Sequence, residues 1–263
     1  MDKLEICTLA SGSKGNCTYL RYGDTSILID QGLSLKELRV RANYRGIDLS
    51  QTDALFVTHE HSDHVKGVGA FARAYDTPVY IPAACMGNFK TEDGDERFFV
   101  PNEYDGEVAV KGLSVKPFRV PHDAHYTVGY RISTGKEDVA IATDLGFVSD
   151  GTLAKLVGCK AVVLESNHDP LMLEGGRYPR MLKARIAGKN GHLSNDACAE
   201  TVAALAYNGT EKIVLAHLSE ENNTPELAFE ASRELLAKRG IKEGDDVLLF
   251  VADQFKPSGR ITV

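Results

Sequence analysis

The 263 residues contain no tryptophan, aromatic side chains make up only 8% of them, and long hydrophobic runs are missing. The longest nearly uninterrupted apolar stretches, Ala54 to Val57 and Val247 to Ala252, fall far short of the roughly 20 residues a membrane-spanning helix needs. A membrane protein is therefore not expected. Cysteine is scarce as well. Cys7, Cys17, Cys85, Cys159 and Cys198 are odd in number and form no Cys-x-x-Cys pair, so neither a disulfide framework nor a thiolate zinc site is indicated, and buried free thiols are expected. Basic charge is in deficit, with 30 Lys and Arg against 37 Asp and Glu and a formal net charge of −7. That balance works against non-specific attraction to nucleic acid, so a polyanionic substrate would need a locally basic surface. The opening Met1-Asp2-Lys3-Leu4-Glu5 lacks the basic and apolar regions of a secretory signal, which makes the cytoplasm the expected compartment.

What is present is ordinary globular composition, 43% hydrophobic and 25% charged, which excludes disorder and collagen-like repeats. No linker or internal repeat marks a boundary, and one domain over residues 1–263 is expected. Short β-rich runs at Leu4 to Leu9, Cys17 to Arg21 and Ser26 to Ile29, separated by a Gly-rich loop and Gly23-Asp24, predict antiparallel strands. Helix is predicted over Leu35 to Tyr44 and Val65 to Tyr75, with the strand Asp53 to Val57 between them. The middle, roughly Val79 to Ala142, reads as strand-rich. Its clearest runs are Leu113 to Val120, Thr127 to Ile132 and Val139 to Ala142. Beyond it, predicted helices (Thr152 to Val157, Pro179 to Ile186, Asp196 to Ala206, Pro225 to Lys238) alternate with strands (Ala161 to Leu164, Lys212 to Ala216, Val247 to Val251).

The densest chemistry lies in Thr58-His59-Glu60-His61-Ser62-Asp63-His64, directly after an apolar run. His59, His61, Asp63 and His64 place four potential metal ligands within six residues. Positions i and i+2 point the same way while the chain is extended, and a turn into a helix brings Asp63 and His64 around, so one loop could serve two metal centres. Neutral imidazoles crowded beside a carboxylate compete for the same protons and are costly to keep together without a cation.

This segment resembles the His-x-His-x-Asp-His signature of the metallo-β-lactamase superfamily, whose fold is an α/β sandwich, αββα, of two mixed sheets flanked by helices. Val120-Pro121-His122-Asp123, Thr143-Asp144-Leu145-Gly146 and Ala216-His217-Leu218-Ser219 look like the later ligand motifs, each predicted at the end of a strand and in the expected order. The resemblance covers essentially the whole chain. It implies two divalent metal ions: one held by His59, His61 and His122, a second by Asp63, His64 and His217, with Asp144 bridging. Asp63 would also orient the attacking water. Imidazole and carboxylate donors suit zinc, manganese or iron and do not choose among them.

Within the superfamily, Leu9-Ala10-Ser11-Gly12-Ser13-Lys14-Gly15-Asn16-Cys17, Leu164-Glu165-Ser166-Asn167-His168-Asp169, Gly191-His192-Leu193-Ser194-Asn195 and His217-Leu218-Ser219-Glu220-Glu221-Asn222-Asn223 look most like the YycJ (WalJ) group. That likeness implies 5′ to 3′ exonuclease action on DNA. Gly191-His192-Leu193-Ser194 is also similar to the histidine motif of tRNA 3′-processing enzymes, which implies that His192 is a general acid and that Glu165 supports it by raising its pKa. The other reading of this segment is a helix cap, which Ser194 and Asn195 already provide. Ser11, Ser13 and His168 are candidate substrate contacts. The loop around Gly12 and Gly15 has neither P-loop nor dinucleotide spacing and also reads as a simple hairpin turn.

Between Gly175 and Gly191 lie Arg177, Arg180, Lys183, Arg185 and Lys189 with no acidic residue. At helical spacing Arg177, Arg180 and Lys183 are expected to share a face that grips phosphates beside His192. The bland alternative is a solvated helix face. The same metals would also serve a small-molecule hydrolase acting on a thioester, lactone or cyclic phosphodiester, or remain in a non-catalytic regulatory protein, although none of the seven ligand positions departs from the motif. Oligomeric state is left open by the sequence.

Overall fold

The computed structural model describes residues 2–87, 96–103 and 106–263. The first sheet contains β1 (Leu4–Ala10), β2 (Cys17–Tyr22), β3 (Thr25–Ile29), β4 (Ala54–Phe56), β5 (Val79–Pro82) and β6 (Phe99–Asn102). The second contains β7 (Val108–Val110), β8 (Leu113–Arg119), β9 (Val128–Ser133), β10 (Asp138–Ala142), β11 (Ala161–Glu165), β12 (Lys212–Ala216) and β13 (Leu248–Val251). The last strand, β14 (Ile261–Thr262), returns to the first sheet beside β1. Among the described residues each sheet has seven strands, in the orders β14-β1-β2-β3-β4-β5-β6 and β13-β12-β11-β10-β9-β8-β7. Both are mixed. Antiparallel pairs open each sheet and parallel pairs close it, from β3 to β6 in the first and from β10 to β13 in the second. The αββα architecture expected from the sequence is the one observed.

Strand sequence explains the layering. A strand buried on both faces reads as a nearly continuous apolar run, with alternate side chains serving different cores. In β11, Ala161 and Val163 enter the core between the sheets, while Val162 and Leu164 enter the core beneath the helices. In β3, Ile27 and Ile29 face the other sheet and Leu28 faces the outer layer. The outer layer on the first sheet carries α1 (Leu35–Tyr44), α2 (Ser62–Val65) and α3 (Val68–Tyr75). That on the second carries α4 (Asp150–Leu156), α5 (Pro170–Gly175), α6 (Arg180–Ile186), α7 (Asn195–Tyr207) and α8 (Pro225–Lys238). All five cysteines are buried and unpaired, as expected. No helix among the described residues is long and apolar enough to cross a membrane.

Two helix predictions need correction. The helix predicted over Val65 to Tyr75 is two helices broken at Lys66-Gly67. A Cβ at Gly67 would sit 2.0 Å from the Leu33 carbonyl oxygen, so the chain turns where it presses against a neighbouring loop. The helix predicted from Thr152 begins at Asp150 instead, because the Ser149 hydroxyl accepts from the Thr152 N–H and caps it there.

Register aligns the carboxyl ends of the parallel strands. Ile29 lies opposite Phe56, Ala142 opposite Leu164, and Glu165 opposite Ala216. The residues that follow these ends therefore converge on one rim, where open α/β sheets generally place their ligand sites. The two sheets are also pinned together there: the buried Tyr130 hydroxyl on β9 donates to the Val57 carbonyl, at 2.6 Å, one residue before the histidine-rich loop. Replacing Tyr130 by Phe leaves that buried carbonyl unpaired. It is expected to destabilise the protein by about 1–3 kcal/mol, read as a lower urea midpoint at unchanged slope.

Candidate metal centre

The histidine-rich loop is shaped by a carboxylate that the motif does not contain. Asp30 follows β3 in left-handed backbone, φ 60°. Its Oδ1 accepts from the Thr58 N–H at 2.8 Å, and its Oδ2 accepts from the Thr58 hydroxyl at 2.9 Å and from His64 Nδ1 at 2.7 Å. Fixing Nδ1 in this way directs Nε2 of His64 to the opposite side, where it lies 3.1 Å from Asp144 Oδ2 and 3.4 Å from Asp63 Oδ2. His61 stands at the N-terminal boundary of α2 in extended backbone, and the turn that follows carries Asp63 and His64 back beside His59. Glu60 points away, its carboxylate accepting from the His125 N–H at 2.7 Å and from the Cys85 thiol.

The other strand ends complete the cluster. His122 follows β8 and holds its Nδ1 3.1 Å from the Gly191 carbonyl. Asp144 and His217 follow β10 and β12 in left-handed backbone, φ 59° and 56°. This conformation costs a non-glycine residue roughly 1–2 kcal/mol and concentrates at functional sites. The arrangement groups His59, His61 and His122 within 4.8 Å of one another, and likewise Asp63, His64 and His217. Asp144 joins His59 and His64 in a third group, so it sits between the two trios inferred from the sequence.

The residues fit a divalent cation on their own chemistry. His59 Nε2 and His217 Nε2 are buried with no hydrogen-bond partner among the described residues, and imidazole nitrogens gathered with carboxylate oxygens are what such a cation takes. Protonation shows the strain of crowding these groups. Burial, with His64, His122 and His61 alongside, pushes His59 well below the ordinary histidine value. Burial alone would lower His64 too, but Asp144, Asp30 and Asp63 carry it well above. His217 is likewise raised, to about 10, as Asp144, Asp63 and Glu165 outweigh burial. Asp144 is held well below the carboxylate range because His217 and His64 override its desolvation.

Glu165 lies at the end of β11, fully buried. Its Oε2 accepts from the Leu145 and Leu193 N–H groups at 2.9 and 3.0 Å, while its Oε1 accepts from His192 Nδ1 at 2.8 Å and from His217 Nδ1 at 2.9 Å. The pair expected from the sequence is thus in contact, and Glu165 has a second partner that the sequence did not indicate. Burial raises its pKa, but His192 and His217 prevail and hold it at about 2. His192 stays raised despite burial for the reciprocal reason. Its ring packs 5.3 Å from that of His217 and 5.1 Å from that of His122, and its side chain keeps 23% exposure.

The predicted substrate contacts divide. Ser11 is buried, and its hydroxyl accepts from the His217 N–H at 2.7 Å; it braces His217 and presents no open surface. Ser13 is exposed at the loop tip. His168 is buried near Glu165 and His192, with its Nδ1 unpartnered among the described residues, and it lies outside the ligand groupings. Arg177, Arg180 and Lys183 do not share one helical face. Gly176 to Pro179 is not helical, so Arg177 precedes α6, and Pro179 starts that helix. Arg180 and Arg177 are exposed, Lys183 donates to the Glu174 carbonyl, and Arg185 pairs with Asp123, whose Oδ1 lies 3.4 Å from His122 Nε2.

Besides Asp30, sequence reading missed Asn16 and Asn167. The amide nitrogen of Asn16 lies 3.2 Å from Asp63 Oδ2, and that of Asn167 donates to the His217 carbonyl at 2.8 Å. Asp30 had one available signal, a carboxylate immediately after the apolar run Ile27-Leu28-Ile29.

Residues 10–217 match the family model of the metallo-beta-lactamase superfamily. The chain is 36% identical to an exodeoxyribonuclease YycJ of Bacillus anthracis, over 97% of each protein. It is also 36% identical to an exodeoxyribonuclease WalJ of Streptococcus pneumoniae, over 92% of this chain and 91% of that one. Among solved structures, the metallo-beta-lactamase fold protein YhfI of Bacillus subtilis superposes with a TM-score of 0.73 at 14% identity, covering 98% of this chain and 99% of that one.

Removing the carboxylate behind a histidine ligand typically weakens metal binding 10- to 100-fold. Asp30→Ala is expected to do so here, measured by competition with a chromogenic chelator. Because His64 and His217 hold protons above their ordinary range in the metal-free protein, cation uptake must expel them. Apparent affinity is therefore expected to rise with pH between about 6 and 9. Calorimetry at pH 7 in buffers of different ionisation enthalpy is expected to show at least one proton released per chain.

Proposed function

The chain belongs to the metallo-β-lactamase superfamily, and on that premise we propose that it is a divalent-metal-dependent phosphodiesterase that degrades DNA from the 5′ end. It is a metal-dependent hydrolase of that superfamily, and its two full-length relatives named above are both exodeoxyribonucleases. In this reading His59, His61 and His122 hold one cation, and Asp63, His64 and His217 hold a second, with Asp144 between them. Divalent cations bound there would lower the pKa of a water to near neutrality and offset charge on the attacked phosphate.

The observation that carries the reading is the position of His192. Glu165 occupies its Nδ1, so Nε2 is the nitrogen left to act on substrate. The buried carboxylate raises the pKa of that imidazole against the effect of burial and so favours the protonated form, as required of a group that gives a proton to a leaving alkoxide oxygen. The ring packs against both His122 and His217, within reach of a phosphate at the cluster. Glu165 itself is held by two backbone N–H groups, so it orients His192 without being free to move. Asp63, with 21% of its side chain exposed, is the carboxylate of the cluster that can turn a water toward the phosphorus atom. Exposed Arg177 and Arg180, in a segment without acidic residues, supply the local positive charge that an acidic protein needs to hold a polyanion.

The deciding assay is digestion of 5′-labelled linear duplex DNA with added Mn²⁺. Wild type is expected to release labelled mononucleotide at the earliest times and Asp144→Ala to release none. His192→Ala is expected to lower kcat on DNA by about 10²- to 10⁴-fold. It should lose much less on a p-nitrophenyl phosphodiester, whose leaving group departs without a proton. No release by fully metallated wild type would overturn the reading in favour of RNA or a small ester.

A further inference from the structure

A groove of about 520 Å³ opens beside His122, on the side of the cluster facing α4. Its floor is the end of β8, and its rim is formed by Arg119, Phe147, Lys155 and Asn190. No carboxylate lines it, although the chain as a whole carries a net charge of −7. Two cations therefore face a cavity without a counter-charge. Arg119 is exposed, and its guanidinium lies over the Tyr126 ring, 3.8 Å from the centroid. That contact orients the cation at little further entropic cost. Lys155 is exposed on α4 with no acidic partner among the described residues. Phe147 leaves 42% of its surface open, so an aromatic face is available beside the two cations.

The groove continues the basic segment described above. A Cβ on Gly146 would lie 2.3 Å from the Lys189 carbonyl oxygen, so the loop bearing Phe147 is pressed against the loop bearing Lys189 and Asn190, and His192 is two residues further on. His122 belongs to both the groove and the metal cluster. A strand lying in the groove would thus run directly into the phosphate position.

We propose that this groove is the binding track for unpaired nucleotides flanking the scissile phosphate, with Phe147 stacking on a base and Arg119 and Lys155 engaging phosphates. The proposal rests on the nucleic-acid reading of the cluster and adds a preference for single-stranded ends. An aromatic face can stack on a base only when the base is not already stacked inside a duplex. The volume lies within the roughly 300–1,000 Å³ of small-ligand pockets, which suits a nucleotide.

The test compares steady-state degradation of blunt duplex DNA with duplexes carrying a single-stranded overhang, using the metallated full-length protein. Phe147→Ala is expected to raise KM for overhang DNA by about 5- to 150-fold, the range that corresponds to loss of one base–aromatic stack, with little effect on blunt ends. Lys155→Ala is expected to reduce the slope of log affinity against log salt by about 0.7 to 0.9. Lys36→Ala, on the exposed face of α1, serves as the charge-matched control and is expected to do neither. If wild type degrades DNA while Phe147→Ala and Lys155→Ala leave KM and the salt slope unchanged, or if KM rises equally on blunt ends, the groove assignment is overturned and the nuclease reading stands. If wild type degrades no DNA, both are overturned.

Discussion

The site depends on carboxylates placed behind imidazoles. Asp30 fixes His64 and Glu165 fixes His217, each by accepting from Nδ1, so the remaining nitrogens face a common centre. Neither carboxylate has an alternative partner in solvent, since both are buried. Their own orientation is enforced by backbone and hydroxyl donors: Thr58 for Asp30, and the amides of Leu145 and Leu193 for Glu165. Ring orientation and tautomer of His64, His192 and His217 follow from these two positions. The strained backbone at Asp30, Asp144 and His217 is the cost of aiming side chains inward from strand ends that already lie level with one another.

The parts of this arrangement legible in the sequence were those with a local signature. Apolar strands buried on both faces announce themselves as continuous runs, and the histidine-rich loop is unmistakable because four ligand-type residues fall within six positions. Family resemblance then extended the ligand set to His122, Asp144 and His217, and the fold brings all seven together. Support residues had no such signature. Asn16, Asp30 and Asn167 each act across a long sequence separation, 47 residues for Asn16 to Asp63 and 50 for Asn167 to His217, and those contacts exist only once distant strands have assembled into a sheet. Ser11 failed for the same reason. A hydroxyl in a glycine-rich loop looks available until the loop folds under His217.

Helical spacing misled in the segment after Gly175. Periodicity assumes one continuous helix, and Pro179 resets the count by starting α6 after Arg177. The basic surface is consequently distributed over a turn, a short helix and the following loop, and part of its charge is already committed: Arg185 pairs with Asp123 and Lys183 donates to a backbone carbonyl. Arg177 and Arg180 remain exposed, which is why position in the fold, and not the number of basic residues, decides which cations can meet a polyanion.

The closing strand has a consequence for biosynthesis. β14 pairs with β1, placing Glu5 opposite Thr262 and Ile6 opposite Ile261, and Ser258 accepts from the Thr8 amide. Ser11, near the start, bonds to His217, 206 residues away. As the chain leaves the ribosome, His59, His61 and His64 are exposed long before the strand that carries His217 exists. The nascent chain therefore passes through a stage in which it can attract a cation but cannot enclose one, and the centre is complete only when His217 arrives over Ser11. High sequence separation of this kind slows folding. Metal supplied during synthesis would meet an open partial site, whereas metal supplied afterwards would meet a finished one.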